Sequence, residues 1–271
     1  MSESILVAVA QFAPTSDPAE NLASIDELAS RAADRGARVV VFPEYSSFFE
    51  KDLGPRFVEA AEPLDGPFVT GLGRIARRLD LHVVAGLVAV AGTDRFSNTL
   101  VAVSPTGALE ATYRKLHLYD AFGQRESDWV EAGGIEQPET FDVDGFTVGL
   151  QTCYDVRFPE VTRLLVDAGV EVVLLPAEWV RGPLKEHHWR TLVTARAIEN
   201  TVYVAAADHT PPVGVGNSMI VDPSGVEIAT IGDERGIAVA ELRRDRLEGV
   251  RRVNPSLALR RFGVVPRSAS A

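Results

Sequence analysis

"FTVGLQTCYD", residues 146–155, reads as a strand running into the only cysteine of the chain, Cys153. It has an earlier counterpart in "ILVAVAQFAP", residues 5–14. More pairs follow in the same order. "GARVVVFPEY" (36–45) matches "GVEVVLLPAEW" (169–179), and "HVVAGLVAV" (82–90) matches "VYVAAADHT" (202–210). "NTLVAVSPTGALEAT" (98–112) matches "NSMIVDPSGVEIAT" (217–230). Ordered pairs of this kind mark an internal repeat. Each half predicts strand, helix, strand, helix, strand, and then a hairpin turning at Ser-Pro-Thr-Gly or Asp-Pro-Ser-Gly.

The helices carry their own signals. "DPAENLASIDELASRAADRG" (17–36) opens on Asp-Pro, keeps apolar residues at helical spacing and stops at Gly36. "FPEVTRLLVDAGV" (158–170) has Pro159 near its start and Gly169 at its end, and "KEHHWRTLVTARAIENT" (185–201) is a third helix. Runs such as "VVVF" and "VEVVLL" are apolar throughout, as strands buried on both faces are. Two such α/β halves predict two mixed sheets packed face to face with helices outside. No Gly/Ser linker joins the repeats. The expectation is one domain over residues 1–271, with a core of about 5–261 and a loose tail, 262–271.

The bulk properties narrow the function. With 271 residues and 46% apolar content, the chain is long enough for a sizeable core. A single cysteine forms no internal disulfide, which points to a reducing compartment. The opening "MSESILVAVAQFAP" has no basic region and only a short apolar run, so no signal peptide is expected. No apolar stretch approaches the ~18 residues that span a bilayer, and a cytoplasmic protein is expected. A net charge of −11 repels phosphate backbones and argues against nucleic acid as a partner. "ELRRDRLEGVRR" (241–252) interleaves acids with bases and reads as a solvated helix face.

Ligands of a layered α/β protein gather where strands end. Cys153 ends the first strand of the second half, and Glu44 ends the second strand of the first half. They are not repeat partners, so function sits on the differences between the halves. A lone cysteine is often a small buried hydrophobe. At a strand-to-helix junction it also meets free N–H groups, which lower a thiol's pKa and stabilise an oxyanion. The Tyr154 N–H is the natural donor. A nucleophilic thiol needs a base. His82, His117, His187, His188 and His209 are the imidazole candidates, and none has an acidic orienter at an obvious spacing. Glu44, set after "VVVFP", is the carboxylate candidate. Lys115, in "EATYRKLHLYD", shares an extended face with Tyr113 and His117. It reads as either a solvated lysine or a fixed cation beside Glu44. Glu126 reads as a surface acid unless the site recruits it.

Taken together, "VVVFPEY", "YRKLHLYD" and "LQTCYDVRFPE" resemble the nitrilase superfamily of carbon–nitrogen hydrolases, whose Glu, Lys and Cys they carry in order. "HHWRTLVTARAIENTVYVAAA" and "GVGNSMIVDPSG" look like its later blocks, so the match runs from Ile5 to about Arg261. The short length and "CYDVRFPE" look most like the amidase branch with ω-amidases and deaminated-glutathione amidases. The resemblance implies an α-β-β-α sandwich with pseudo-twofold symmetry, and a homodimer or larger homo-oligomer with the C-terminal segment crossing between protomers. It implies Glu44 as general base, Lys115 as oxyanion stabiliser, Cys153 as nucleophile and Glu126 as a second glutamate positioning the lysine or the leaving group. It implies neither metal nor organic cofactor, and a small-molecule amide cleaved to acid and ammonia through a thioester. Nitrile or N-carbamoyl hydrolysis on the same triad, or an inactive binding member, are the alternatives. The departures concern the substrate: "PAEWVRGPLKEHHW" and "DPSG" differ from what relatives often carry, and Asn217 stands where His or Asp is frequent. Tyr154, Trp179, Phe122 and Arg181 are expected to bind substrate, with His187 or His188 an alternative reach to a substrate acid. Arg157 is expected to pair with Asp155 or Glu160, with a substrate carboxylate as the alternative partner.

Overall fold

In the computed structural model of the chain, residues 3–267 are described; residues 268–271 of the expected tail lie outside them. The strands are β1 (Ser4–Gln11), β2 (Val39–Val41), β3 (His82–Val90), β4 (Phe96–Val103), β5 (Leu109–Arg114), β6 (Thr140–Val143), β7 (Phe146–Leu150), β8 (Val172–Pro176), β9 (Tyr203–Ala207), β10 (Met219–Val221), β11 (Glu227–Thr230) and β12 (Gly236–Arg243). The helices are α1 (Pro18–Ala33), α2 (Pro55–Glu59), α3 (Pro67–Leu79), α4 (Pro159–Asp167), α5 (Lys185–Asn200) and α6 (Arg244–Val253).

The strands form two six-stranded mixed sheets, ordered β12-β1-β2-β3-β4-β5 and β6-β7-β8-β9-β10-β11. In each, three parallel strands are flanked by antiparallel ones. The halves therefore share one topology, as the sequence pairs predict. Each sheet has a sixth strand beyond that prediction. In the second sheet β6 precedes β7 across a tight turn at Asp144 and Gly145, which have φ of 50° and 94°, the left-handed pair that a two-residue hairpin requires. In the first sheet the equivalent place is taken by β12, from the far end of the chain.

Alternation along the strands builds three layers of core. Val7, Val9, Val39, Val41 and Val84 meet Val148, Leu150, Val172 and Leu174 between the sheets. The intervening Ala8, Ala10, Val40, Phe42 and Val83 face Ile25 and Leu28 of α1 and Phe68 and Leu72 of α3. Val173, Leu175, Val204 and Ala206 face Leu165 of α4 and Trp189 and Val193 of α5. This is why "VVVF" is apolar at every position. Each such side chain contributes roughly 1.5–3 kcal/mol on burial. The result is the α-β-β-α sandwich.

Local chemistry ends the elements where the sequence marks them. The Asp17 carboxylate accepts from the Ala19 and Glu20 N–H groups at 2.9 and 3.3 Å, capping α1. The β4–β5 and β10–β11 hairpins turn through Gly107 (φ 80°) and Gly225 (φ 86°). One expectation changes. The arginines of α6 are not merely solvated: Arg244 pairs with Glu171 at 3.0 Å and Arg246 with Asp222 at 2.6 Å. Leu247 meanwhile enters the inter-sheet core. These contacts fasten α6 to the strand ends. Among the described residues no helix is long and apolar enough to cross a membrane.

Candidate active site

The chain leaving β2, β5 and β7 converges with a one-turn 3-10 helix on one site. Pro43 ends the β2 ladder because it has no N–H to donate. The chain still tracks β3: Gly86 N–H donates to Pro43 O at 3.1 Å, and Ser47 N–H donates to Gly86 O at 3.0 Å. Between them Glu44 is fully buried, and Tyr45 turns with φ of 56°. Lys115 follows β5, its N–H on Asn98 O and its carbonyl accepting from Gly133 N–H, both at 2.9 Å. Glu126 opens a one-turn 3-10 helix, Glu126–Asp128. Cys153 follows β7 and opens another, Cys153–Arg157, which precedes α4. Its φ is 45°, a left-handed conformation that costs a non-glycine residue energy and clusters at functional sites. Thr152 Oγ1, donating to Pro176 O at 2.8 Å, clamps the preceding residue.

The side chains form one buried network. Lys115 Nζ donates to Glu44 Oε1 at 2.9 Å and to Glu126 Oε1 at 3.0 Å. Asn98 Nδ2 donates to the same two carboxylates, at 2.6 and 3.2 Å. Glu126 also accepts from Tyr45 OH at 2.7 Å and from Tyr119 N–H at 2.6 Å. Glu44 Oε2 accepts from Glu178 N–H at 2.7 Å, and Cys153 Sγ donates to the Glu178 carbonyl at 3.4 Å. The Glu178 residue thus bridges the carboxylate and the thiol through its backbone. His209, from the loop after β9, donates through Nε2 to the Glu44 carbonyl at 2.7 Å.

The electrostatics follow from burial and charge. Burial opposes the Lys115 ammonium, but Glu126 and Glu44 outweigh it and hold its pKa well above the ordinary value. Burial raises Glu126, yet Lys115 and the Tyr45 hydroxyl bring it below the usual carboxylate range. Burial pushes the Cys153 thiol well up, and the Glu44 charge adds to that against Lys115. The sequence expectation of a lowered thiol pKa is therefore corrected: at Cys153 desolvation outweighs the nearby cation and N–H groups. Burial and the Glu44 charge likewise push the Glu178 carboxyl well up. Burial takes His209 down to about 4, so its ring is neutral at pH 7.

Cys153, Lys115, Glu126 and Glu178 line a cavity of about 340 Å³, together with Tyr119, Tyr154, Trp179, Arg181 and Lys185. Of the expected substrate residues, Tyr154, Trp179 and Arg181 line it. Phe122 does not: it is 69% exposed and stacks on Tyr119 outside. Among the described residues no histidine lines the cavity. His117 instead lies on Phe158 and binds Asp155 at 2.7 Å, and His188 meets Arg157 at 3.5 Å. Asp155 is taken by His117 and Tyr113, whose hydroxyl donates at 2.7 Å, so the expected Arg157 ion pair does not form. Arg157 lies over the Trp179 ring instead, 5.0 Å from its centre. Residues that the sequence reading passed over are Tyr45, Asn98, Gly86 and Lys185, and the backbone of Glu178. None has a motif of its own. Among the described residues no cluster of three or more His, Cys, Asp or Glu is placed to hold a metal ion.

Comparison with known proteins agrees with this geometry. The profile of the carbon–nitrogen hydrolase family matches residues 6–252. A deaminated glutathione amidase of Escherichia coli O157:H7 is 40% identical over 258 residues, covering 95% of this chain and 98% of that protein. The crystal structure of Saccharomyces cerevisiae Nit3, a member of branch 10 of the nitrilase superfamily, superposes with a TM-score of 0.84 at 27% identity, covering 97% and 98% of the two chains. A mutant of an amidase from Nesterenkonia sp. AN1 superposes at 0.76 with 28% identity, covering 94% and 99%; it shows Michael addition of acrylamide at its active site cysteine. The chain thus belongs to the carbon–nitrogen hydrolase family of the nitrilase superfamily and is an amidase, a hydrolase of carbon–nitrogen bonds.

Proposed function

We propose that the chain cleaves a small ω-amide to its acid and ammonia, or to an amine where the amide nitrogen is substituted, through a thioester on Cys153. One observation carries this reading. A buried carboxylate, a buried ammonium and a thiol come together, with Lys115 and Cys153 lining the cavity and Glu44 buried beside them: Glu44 and Lys115 are 2.9 Å apart, and Cys153 shares the Glu178 backbone with Glu44. The relatives named deaminated glutathione amidases support an ω-amide, because the γ-linkage of glutathione is a substituted amide of a dicarboxylic acid.

Each step moves one proton through Glu44. Sγ attacks the amide carbon while its proton passes to the Glu44 carboxylate. A thiol raised by burial makes a poor thiolate on its own, so the base acts during attack, a contribution of about 10²–10⁴ in rate. The oxyanion is held by Lys115 Nζ and the Tyr154 N–H, which lies too early in its turn to be bonded within it. Glu126 keeps Lys115 charged and aimed. The C–N bond breaks as Glu44 returns the proton to nitrogen. Water then attacks the thioester, with Glu44 as base again, and the C–S bond breaks as the proton returns to sulfur.

The test is Cys153→Ala. Release of ammonia or amine from ω-amides is lost while the thermal melt stays that of the parent. Turnover by the variant would refute the assignment. Mass spectrometry of the parent during turnover shows the acyl adduct on the peptide with Cys153.

A further inference from the structure

Three lysines line the cavity, Lys51, Lys115 and Lys185, and of the two that the reaction does not use only Lys185 is buried. Lys185 is the first residue of α5 and is only 6% exposed. Its place is set by backbone bonds: its N–H donates to Gly182 O at 3.1 Å, and its carbonyl accepts from Trp179 Nε1 at 2.9 Å. Its ammonium donates to Tyr119 OH at 2.8 Å. It lies over three rings, 4.3 Å from the centre of Phe122, 5.0 Å from Tyr119 and 5.3 Å from Trp179. Among the described residues no carboxylate oxygen comes within the 4.0 Å of an ion pair.

A buried ammonium without a counter-ion is costly, and proteins normally pair it. Here its surroundings add to the cost. Arg157 lies over the same Trp179 ring, its Nε buried without a hydrogen-bond partner. Arg157 also has no carboxylate within ion-pair range among the described residues. Burial and the like charge of Arg157 lower the Lys185 pKa, outweighing the opposing effect of Cys153 and Glu178. Lys115 differs, since it is neutralised by Glu44 and Glu126. Rings hold the Lys185 charge in place, one hydroxyl accepts one of its three N–H donors, and the remaining donors have no acceptor among the described residues.

We propose that Lys185 anchors a carboxylate on the substrate, so that the site selects amides carrying a free acid group. The inference rests on the proposed function, because it takes the cavity beside Cys153 as the place where the amide binds. The amide end meets Cys153 and Lys115, and the acid end meets Lys185 with the Arg157 charge behind it. Arg181 and Lys51, exposed at the same cavity, have no such desolvated position. Lys185 is thus a specificity residue, and the acid group of the substrate is its missing counter-ion.

Two measurements test this on the full chain. In the first, kcat and KM are compared for the monoamide of glutaric acid and for its methyl ester, on the parent, Lys185→Met and Lys185→Arg. The parent prefers the free acid. In Lys185→Met the preference, taken as a ratio of kcat/KM, falls about a hundredfold, the order expected when one partner of a buried charge pair is lost, and mostly through KM. Lys185→Arg recovers part of it. In the second, glutarate is titrated by calorimetry into the same proteins, and binding weakens at least tenfold in Lys185→Met. Lys185→Gln substitutes if the methionine variant melts early. An unchanged ratio with unchanged glutarate binding overturns the anchor. If the parent cleaves no amide, the amidase reading of this cavity fails, and the glutarate titration decides the anchor by itself.

Discussion

The backbone of Gly86, on β3, lies against Glu44: a Cβ at position 86 would stand 2.8 Å from the Glu44 Cα and 2.7 Å from its carbonyl carbon. No real Cβ comes so close, so Glu44 occupies its place because residue 86 has no side chain. Gly86→Ala must push the Glu44–Tyr45 turn off the sheet. It is expected to cost about 1–3 kcal/mol by overpacking and at least a hundredfold in kcat, since misplacement by an ångström suffices for that. Gly249→Ala is the control. It lies in α6, where an added Cβ meets only Arg252 at 3.8 Å, and it is expected to leave activity alone and raise stability by about 0.5–1 kcal/mol. Urea unfolding and amide turnover on both variants check the contrast.

Glu44 also sets the pH behaviour. In the parent the thiol is held well above its ordinary pKa and attacks as its proton leaves for Glu44, so kcat/KM is expected to be flat across neutral pH. Glu44→Gln removes the acceptor. Attack then depends on the thiolate, whose fraction rises tenfold per pH unit below the thiol pKa. The variant is expected to be slower by about 10²–10⁴ near pH 7 and to gain rate as pH rises. A flat profile in Glu44→Gln would exclude Glu44 as the proton acceptor.

Lys115 and its two carboxylates separate charge from shape. Lys115→Met leaves Glu44 and Glu126 buried without their cation, and is expected to destabilise the fold by about 3–5 kcal/mol. Glu126→Gln keeps an oxygen for Tyr45 and Lys115, which donate to Oε1, but turns an amide NH2 towards the Tyr119 N–H that Oε2 accepts. With one buried carboxylate removed and Lys115 still paired with Glu44, it is expected to cost less stability than Lys115→Met. It withdraws one of the charges that hold Lys115 protonated, and its kcat is expected to fall about tenfold to a hundredfold with little change in KM. Denaturant titration with steady-state kinetics distinguishes the two.

His209 makes a stability prediction with a definite sign. Its pKa is about 4 in the fold and about 6.5 in the unfolded chain. The unfolded state therefore binds the extra proton between these values, and stability falls as pH drops from about 6.5 towards 4, by up to about 3 kcal/mol. His209→Gln cannot take up that proton. The stability difference between parent and variant is expected to shrink by that amount from pH 7 to pH 4. Melting curves across the range measure it, and a difference independent of pH would show that His209 is not buried as a neutral ring.

The repeat, the helix stops and the hairpin glycines were all legible in the chain. They depend on local periodicity and turn chemistry, which are read residue by residue. The sixth strands were less so. β6 is four residues long, and β12 is contributed by residues more than two hundred positions from its partner β1. Arg157 went the other way in the structure. Its sequence neighbours Asp155 and Glu160 looked like partners, but Asp155 was already satisfied by Tyr113 and His117 across the sandwich.

By itself, the order of residues determined the layering, because strands apolar at every position have to be covered on both sides. It also determined that a carboxylate, an ammonium and a thiol stand at strand ends. Only the tertiary structure decided which charges met. Lys115 is neutralised by two glutamates from distant turns, whereas Lys185, no different in type, is left among aromatic rings without a carboxylate partner among the described residues. The reason is physical: ionic pairing and desolvation depend on distances through space between segments far apart in the chain, and no local pattern encodes them.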